Sequence, residues 1–99
     1  MTNLRKLARG KDCHVRLPGI CNFNPETTVL AHVRAGFYGM GTKPIDWCGV
    51  FACSACHDEI DRRTRKMPAR EVEAATLEAL CRQLTWYVDH GILRGGRTP

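Results

Sequence analysis

"CSACHDEID", residues Cys53 to Asp61, sets two cysteines one helical turn apart, follows them at once with a histidine, and puts three acids into the next four positions. Three chemistries fit that spacing. Cys53 and Cys56 can bond haem vinyl groups with His57 on the iron, they can clamp a structural zinc, or they can brace a histidine aimed at a reactive metal. The choice depends on where the other cysteines and histidines fall.

Six cysteines in 99 residues invite a disulfide-stapled secreted fold. The opening, MTNLRKLARGKDC, has no apolar stretch of signal-peptide type, and no run is long enough to cross a membrane. A cytoplasmic setting is therefore expected, where clustered cysteines more often bind metal. Haem attachment normally follows export and leaves Cys13 and Cys21 without a role, although Met40 or Met67 would be available as a second axial ligand.

Zinc accounts for more residues. A structural site takes four thiolate or imidazole ligands in a tetrahedron, commonly as two pairs. Cys53 and Cys56 form one pair. Cys13 and Cys21 form a wider one, closed by the Pro18-Gly19 turn, with His14 and Cys48 as substitute ligands. On a helix, consecutive residues point about 100° apart. Cys56 can then face the zinc while His57 faces elsewhere, and Asp61, four residues on, shares the face of His57. Such a pair suits a harder ion, Mg²⁺ or Mn²⁺. The plainer reading has His57 packing on the knuckle and Asp61 pairing with an arginine.

The elements follow from pattern. Residues 1–12 read as a basic lead-in with a short helical turn, and "TTVLAHV", Thr27 to Val33, is β-branched and predicts a strand ending near His32. "RAGFYGMGTKP" predicts a loop. After Asp46, "WCGVFA" predicts a returning strand, and Ser54 is placed to cap a helix over about 54–65. "AREVEAATLEALCRQLTWYVDHG" predicts a long helix after Pro68 that stops at Gly91. Val72, Leu77, Leu80, Leu84, Tyr87 and Val88 form its expected core stripe, with Cys81 as a buried apolar residue.

A net charge of +5 gathers in clusters: Arg5, Lys6, Arg9 and Lys11, then Arg62, Arg63, Arg65 and Lys66, then Arg94 and Arg97 in the tail. Such clusters can neutralise phosphates and give salt-sensitive affinity for nucleic acid, or simply keep a small protein soluble. Trp47 is expected in the core, and Phe37 and Tyr38 partly buried, with stacking on an unpaired base the competing role.

The order of cysteine pair, strand histidine, glycine-rich loop and Cys-x-x-Cys-His on a helix resembles the HNH nucleases. More closely, "LRKLARGKDCHVRLPGICNFNPETTVLAH" followed by "ACSACHDEIDRR" resembles the YbcO-type family of small nucleases encoded by lambdoid prophages, over roughly residues 3 to 63. The resemblance implies a small α+β domain over residues 1–99. Within it, a zinc-stabilised ββα-metal (HNH-like) core would occupy 12–66, and an additional long C-terminal helix 68–91.

It also implies a metal-dependent DNA endonuclease. His32 matches the strand histidine that serves as general base, and His57 the helix histidine that holds the catalytic ion, with Asp61 beside it. Cys13, Cys21, Cys53 and Cys56 match the zinc pairs, and Arg62, Arg63, Arg65 and Lys66 would meet the DNA backbone. Two positions depart from the HNH pattern: Ala31 stands where many members carry a ligand, and Cys48 where the middle asparagine is expected, with Asp46 two residues early. A zinc-stabilised nucleic-acid-binding module without catalysis is the competing function.

Overall fold

The run predicted as the first strand forms one, shortened at both ends. In the computed structural model, which describes residues 3–33 and 44–95, strand β1 spans Val29–His32. Asn24 caps a 3₁₀ turn over Pro25–Thr27, accepting from the Glu26 N–H, so Thr27 is drawn out of the strand. The glycine-rich stretch with Phe37, Tyr38 and Met40, and Arg97 in the tail, lie outside the described residues.

Strand β2, Gly49–Ala52, returns antiparallel to β1 with Val29 opposite Ala52, Leu30 opposite Phe51, Ala31 opposite Val50 and His32 opposite Gly49. Helix α1 is Leu4–Leu7, α2 Ser54–Ile60 and α3 Ala69–Asp89, completing a small α+β domain. No helix among the described residues is long and apolar enough to cross a membrane.

Side chains alternate across the ribbon, as a period of two requires. Ala31, Val50 and Ala52 join a cluster with Cys13, Val15, Leu17, Cys53, Cys56 and Ala79. On the opposite face, Leu30 and Phe51 pack with Leu4, Ala8 and Tyr87. Phe51 is fully buried, and trimming such a ring to alanine costs about 3–5 kcal/mol. His32 lies on this second face, at the strand end. Its partner Gly49 has no room for a side chain, because a Cβ would sit 2.7 Å from Leu30 Cγ.

Four expectations about the helices need correction. Cys53, not Ser54, caps α2, and the helix stops at Ile60 instead of running to residue 65. The stop has a local cause: Arg62 adopts φ 59°, a left-handed conformation that ends the helical repeat.

On α3 the buried stripe is Val72, Thr76, Ala79, Gln83 and Tyr87, while Leu77 is 65% exposed and Leu84 39%. Cys81, expected inside, is exposed. The helix packs against β2 with Ala79 fully buried beside Val50 and Ala52, and Gln83 takes the Phe51 N–H at 2.8 Å.

The predicted stop at Gly91 holds. Gly91 takes φ 74°, its N–H reaches Val88 O at 3.1 Å, and the Ile92 N–H reaches Tyr87 O at 2.8 Å. That pair of bonds is the Schellman closure, with Ile92 packed beside Tyr87.

Candidate functional site

Two separate loops bring the four predicted sulfurs together. Leu17–Ile20 turns through Pro18-Gly19, with the Ile20 N–H on Leu17 O at 3.1 Å and Gly19 at φ 72°. Cys13 and Cys21 are thereby swung against Cys53 and Cys56 at the end of β2 and the start of α2. The four Sγ atoms lie within 4.8 Å of one another, and Cys53 and Cys21 are 3.8 Å apart. A tetrahedral ion with ligand bonds of ~2.3 Å needs sulfur–sulfur edges of roughly 3.8 Å. The set can therefore hold a metal ion, and its dimensions fit zinc.

Backbone N–H groups point at these sulfurs. Arg16 N–H lies 3.5 Å from Cys13 Sγ and Cys56 N–H 3.4 Å from Cys53 Sγ. The cluster shares protons unevenly. A hydrogen bond from Cys56 is the main force bringing Cys13 down to about 4, working against burial and assisted by the backbone donors. The same bond, with burial, pushes Cys56 up. Burial raises Cys21 to about 11 despite the Phe23 N–H. Four thiols this close cannot all ionise together unless a cation offsets their repulsion.

The substitute ligands lie elsewhere. His14 turns from the sulfurs toward α3, its Nδ1 2.6 Å from Gln83 Oε1. That oxygen already accepts from the Phe51 N–H, so Nδ1 must carry the proton. Burial lowers the His14 pKa and keeps the ring neutral, the Gln83 bond opposing it. Cys48 is in the turn before β2, outside the four-sulfur group. With both its sulfurs inward and fully buried, the Cys53–Cys56 pair does not present thiols to a haem edge.

The histidines stand apart from the thiols, each beside a carboxylate. His32 Nε2 is 2.8 Å from Asp46 Oδ1, and the His32 side chain is 17% exposed. Asp46 reaches it because the Val33 N–H bonds Cys48 O at 2.7 Å, extending the ribbon by one link. Arg5 of α1 approaches the same oxygen at 3.2 Å. The bond to His32, supported by Arg5 and opposed by desolvation, holds Asp46 below the usual carboxylate range.

Asp61 is four residues beyond His57, as the helix period requires, with Oδ2 3.1 Å from His57 Nε2. Adjacent ligands of an octahedral ion with bonds near 2.1 Å lie about 3.0 Å apart. The 3.1 Å separation is that of a hydrogen-bonded pair, and it is also compatible with two ligands of one cation. Arg63 NH2 is 3.7 Å from the same Asp61 oxygen, as the plainer reading of that carboxylate anticipates.

The basic stretch after α2 is a built turn. Glu59, fully buried, accepts from Thr64 Oγ1 at 2.6 Å, the Lys66 N–H at 3.2 Å and the Met67 N–H at 2.8 Å. Arg62 NH1 is 3.4 Å from Glu59 Oε2 and donates to Met67 O at 3.0 Å. These bonds, the Thr64 hydroxyl foremost, depress the Glu59 pKa against the cost of burial. Arg63, Arg65 and Lys66 are left exposed while Arg62 is half-buried. Sequence pattern gives Glu59 no role of its own, since it is one of three acids in the four positions after His57.

Trp47, expected in the core, is 39% exposed and meets Tyr87 edge-on with ring centroids 5.2 Å apart.

The family described as "Putative nuclease YbcO" matches residues 2–92. The chain belongs to the YbcO family. Two relatives described in those words, from Escherichia coli K12 and from Enterobacteria phage 82, are each 50% identical over 95 residues, covering 95% of this chain and 99% of the relative. A solved structure of a "putative bacteriophage protein" from E. coli K-12 superposes with a TM-score of 0.78 at 47% identity, covering 90% of this chain and all of that one. The YbcO description names a nuclease, whose substrate is nucleic acid.

Proposed function

We propose that the chain is a metal-dependent DNA endonuclease of the HNH type, with a structural zinc in the four cysteines. The observation that carries the reading is the 2.8 Å contact between His32 Nε2 and Asp46. A carboxylate at that distance accepts a hydrogen bond from Nε2–H, which fixes the tautomer and leaves the lone pair on Nδ1. The position at the strand end leaves the ring open enough to meet water, so Nδ1 removes a proton from water as it attacks the scissile phosphorus. Asp46 fills the orienting role that the HNH pattern gives to its middle asparagine.

His57 and Asp61 would hold a hard divalent ion, Mg²⁺ or Mn²⁺, which supplies charge stabilisation for the phosphoryl oxygens and the leaving oxygen. Arg63, Arg65 and Lys66 bind flanking phosphates from the turn that Glu59 organises, with Arg62 contributing its remaining donors. The zinc keeps β2 and α2 at a fixed angle, so that both histidines keep their aim.

A nicking assay on plasmid, linear and branched DNA, with Mg²⁺, Mn²⁺ or neither, tests this. His32→Ala should lose ~10²–10⁴ in rate while keeping its fold and its DNA affinity. Cleavage unchanged in that variant removes His32 from the reaction. The Arg63–Asp61 contact favours a second reading, a zinc-stabilised binding module without catalysis. Retained DNA binding with no metal-dependent nicking on any substrate would establish it.

A further inference from the structure

Arg16, Phe23 and Arg62 are the non-glycine residues with left-handed backbone among those described, at φ 52°, 54° and 59°. The first two follow the cysteines of the first pair, and together with Asp12, Cys13 and Pro25 they line one cavity of ≈ 310 Å³. Their backbone conformation has a reason, since it turns N–H groups onto the sulfurs of Cys13 and Cys21. The fold does not account for their side chains. Glycine reaches that conformation without the steric cost, and asparagine tolerates it better than phenylalanine does. Yet Phe23 stands there 75% exposed, more than any other large apolar residue described.

The loop behind the ring is stiff. Asn22 Nδ2 donates to Thr27 Oγ1 at 3.2 Å and Ser54 Oγ at 3.1 Å, and the Ser54 N–H returns to Thr27 Oγ1 at 3.2 Å. Asn24 N–H bonds Asn22 Oδ1 at 2.9 Å. On the other side, Arg16 Nε is fastened to Cys13 O at 3.0 Å, which holds the guanidinium plane while its outer nitrogens have no hydrogen bond among the described residues. An aromatic ring carried on a tied loop and a planar cation with one nitrogen fastened are suited to a flat heteroaromatic partner. Asp12 disfavours a phosphate in the same cavity, but its carboxylate can accept from an exocyclic amine of a base.

We propose that Arg16 and Phe23 form a stacking subsite for an unpaired nucleobase, which makes nucleic acid with single-stranded character the substrate class of this protein. The inference rests on the nucleic-acid reading above and deepens it. A duplex hides its base faces by stacking, so an exposed ring gains little from it.

The test uses the full chain with its metal content measured, all proteins carrying His32→Ala so that binding is read without cleavage. Anisotropy of a short fluorescein-labelled mixed-sequence single strand is compared with that of its blunt duplex. Phe23→Ala should weaken strand binding roughly 5- to 150-fold, the range of one base–aromatic stack, and change duplex binding much less. Phe23→Leu, which keeps apolar bulk without the π face, should fall with it, and the emission of Phe23→Trp should be quenched by the strand. Strand affinity unchanged in Phe23→Ala, or retained in Phe23→Leu as an apolar protein-docking residue would behave, overturns the stacking subsite alone. A metal-loaded parent that binds neither strand nor duplex overturns the nucleic-acid reading and this inference with it.

Discussion

The four-sulfur cluster and the two histidine–carboxylate pairs share one ββα frame and are built on opposite terms. Three of the four cysteines are buried, and every sulfur faces another. The His32 and His57 side chains are 17% and 27% exposed, and each faces a carboxylate oxygen, with Asp46 38% and Asp61 11% exposed. Soft, closed and desolvated describes a site whose metal affinity becomes folding energy. Hard, open and hydrogen-bonded describes one that can exchange ligands with a substrate. Removal of ligands should therefore unfold the chain in the first region and spare the fold in the second.

The largest effect is expected at the sulfurs. Apparent zinc-binding energies in small zinc-folded peptides are about 10–16 kcal/mol, as large as the whole stability of an ordinary domain, ~5–15 kcal/mol. Cys56→Ser, or a strong chelator, should abolish the near-ultraviolet circular dichroism that the Phe51–Trp86–Tyr87 ring contacts generate. His57→Ala should leave that spectrum intact. If chelation leaves it unchanged, the sulfurs are not the fold's keystone and the contrast fails.

Asp46→Asn sharpens the other half. Its ion pair with Arg5 is more than a third exposed on both sides, and such pairs contribute ~0–1 kcal/mol, so melting should scarcely move. Nicking should drop roughly 10²-fold, the penalty of a mis-aimed catalytic group. Equal losses of stability and rate would make Asp46 a structural residue.

Glu59→Gln should act between these extremes. A neutral amide cannot accept from Thr64, Lys66, Met67 and Arg62 at once, so the turn over residues 61–67 loosens, melting falls and the salt slope of DNA binding shrinks. The pH sign follows from the depressed Glu59 pKa. Its ionised form contributes stability in full above its ordinary value of 4.5 and loses it as pH falls through the lowered one. The melting gap between wild type and variant should thus be constant above that value and close on acidification. Reading a difference between two proteins cancels the acid release of metal that both share.

These contrasts also explain which features the sequence could announce. Side-chain spacing is local chemistry: Cys53-x-x-Cys56, a Pro-Gly turn between Cys13 and Cys21, and Asp61 one turn past its partner His57 can each be read within ten residues. The end of α2 is equally local but is not announced by residue type, because "RRTRK" has good helix propensity and is overruled by the burial of Glu59, whose carboxylate captures two backbone N–H groups and a hydroxyl. The face of α3 was misread for a similar reason. Apolar periodicity assigned Leu77 and Leu84 to the core, but Gln83 is buried instead, satisfied by Phe51 and His14 from distant segments. Polar residues whose partners are remote in sequence carry no local signal.

The smallest effect expected belongs to Cys81, and it tests whether the contrast between regions is one of geometry or merely of residue type. Cys81 is a cysteine like the others, but it lies exposed on α3 and outside the four-sulfur group. Exposed substitutions usually stay within about ±0.5 kcal/mol. Cys81→Ser should therefore keep the wild-type melting temperature and the same number of bound metal ions per chain, as measured by elemental analysis. Loss of metal in that variant would mean that the thiols select their ion by availability rather than by the converging turns around Cys13, Cys21, Cys53 and Cys56. Retention alongside the collapse of Cys56→Ser would show that burial and aim, not sulfur alone, make the difference.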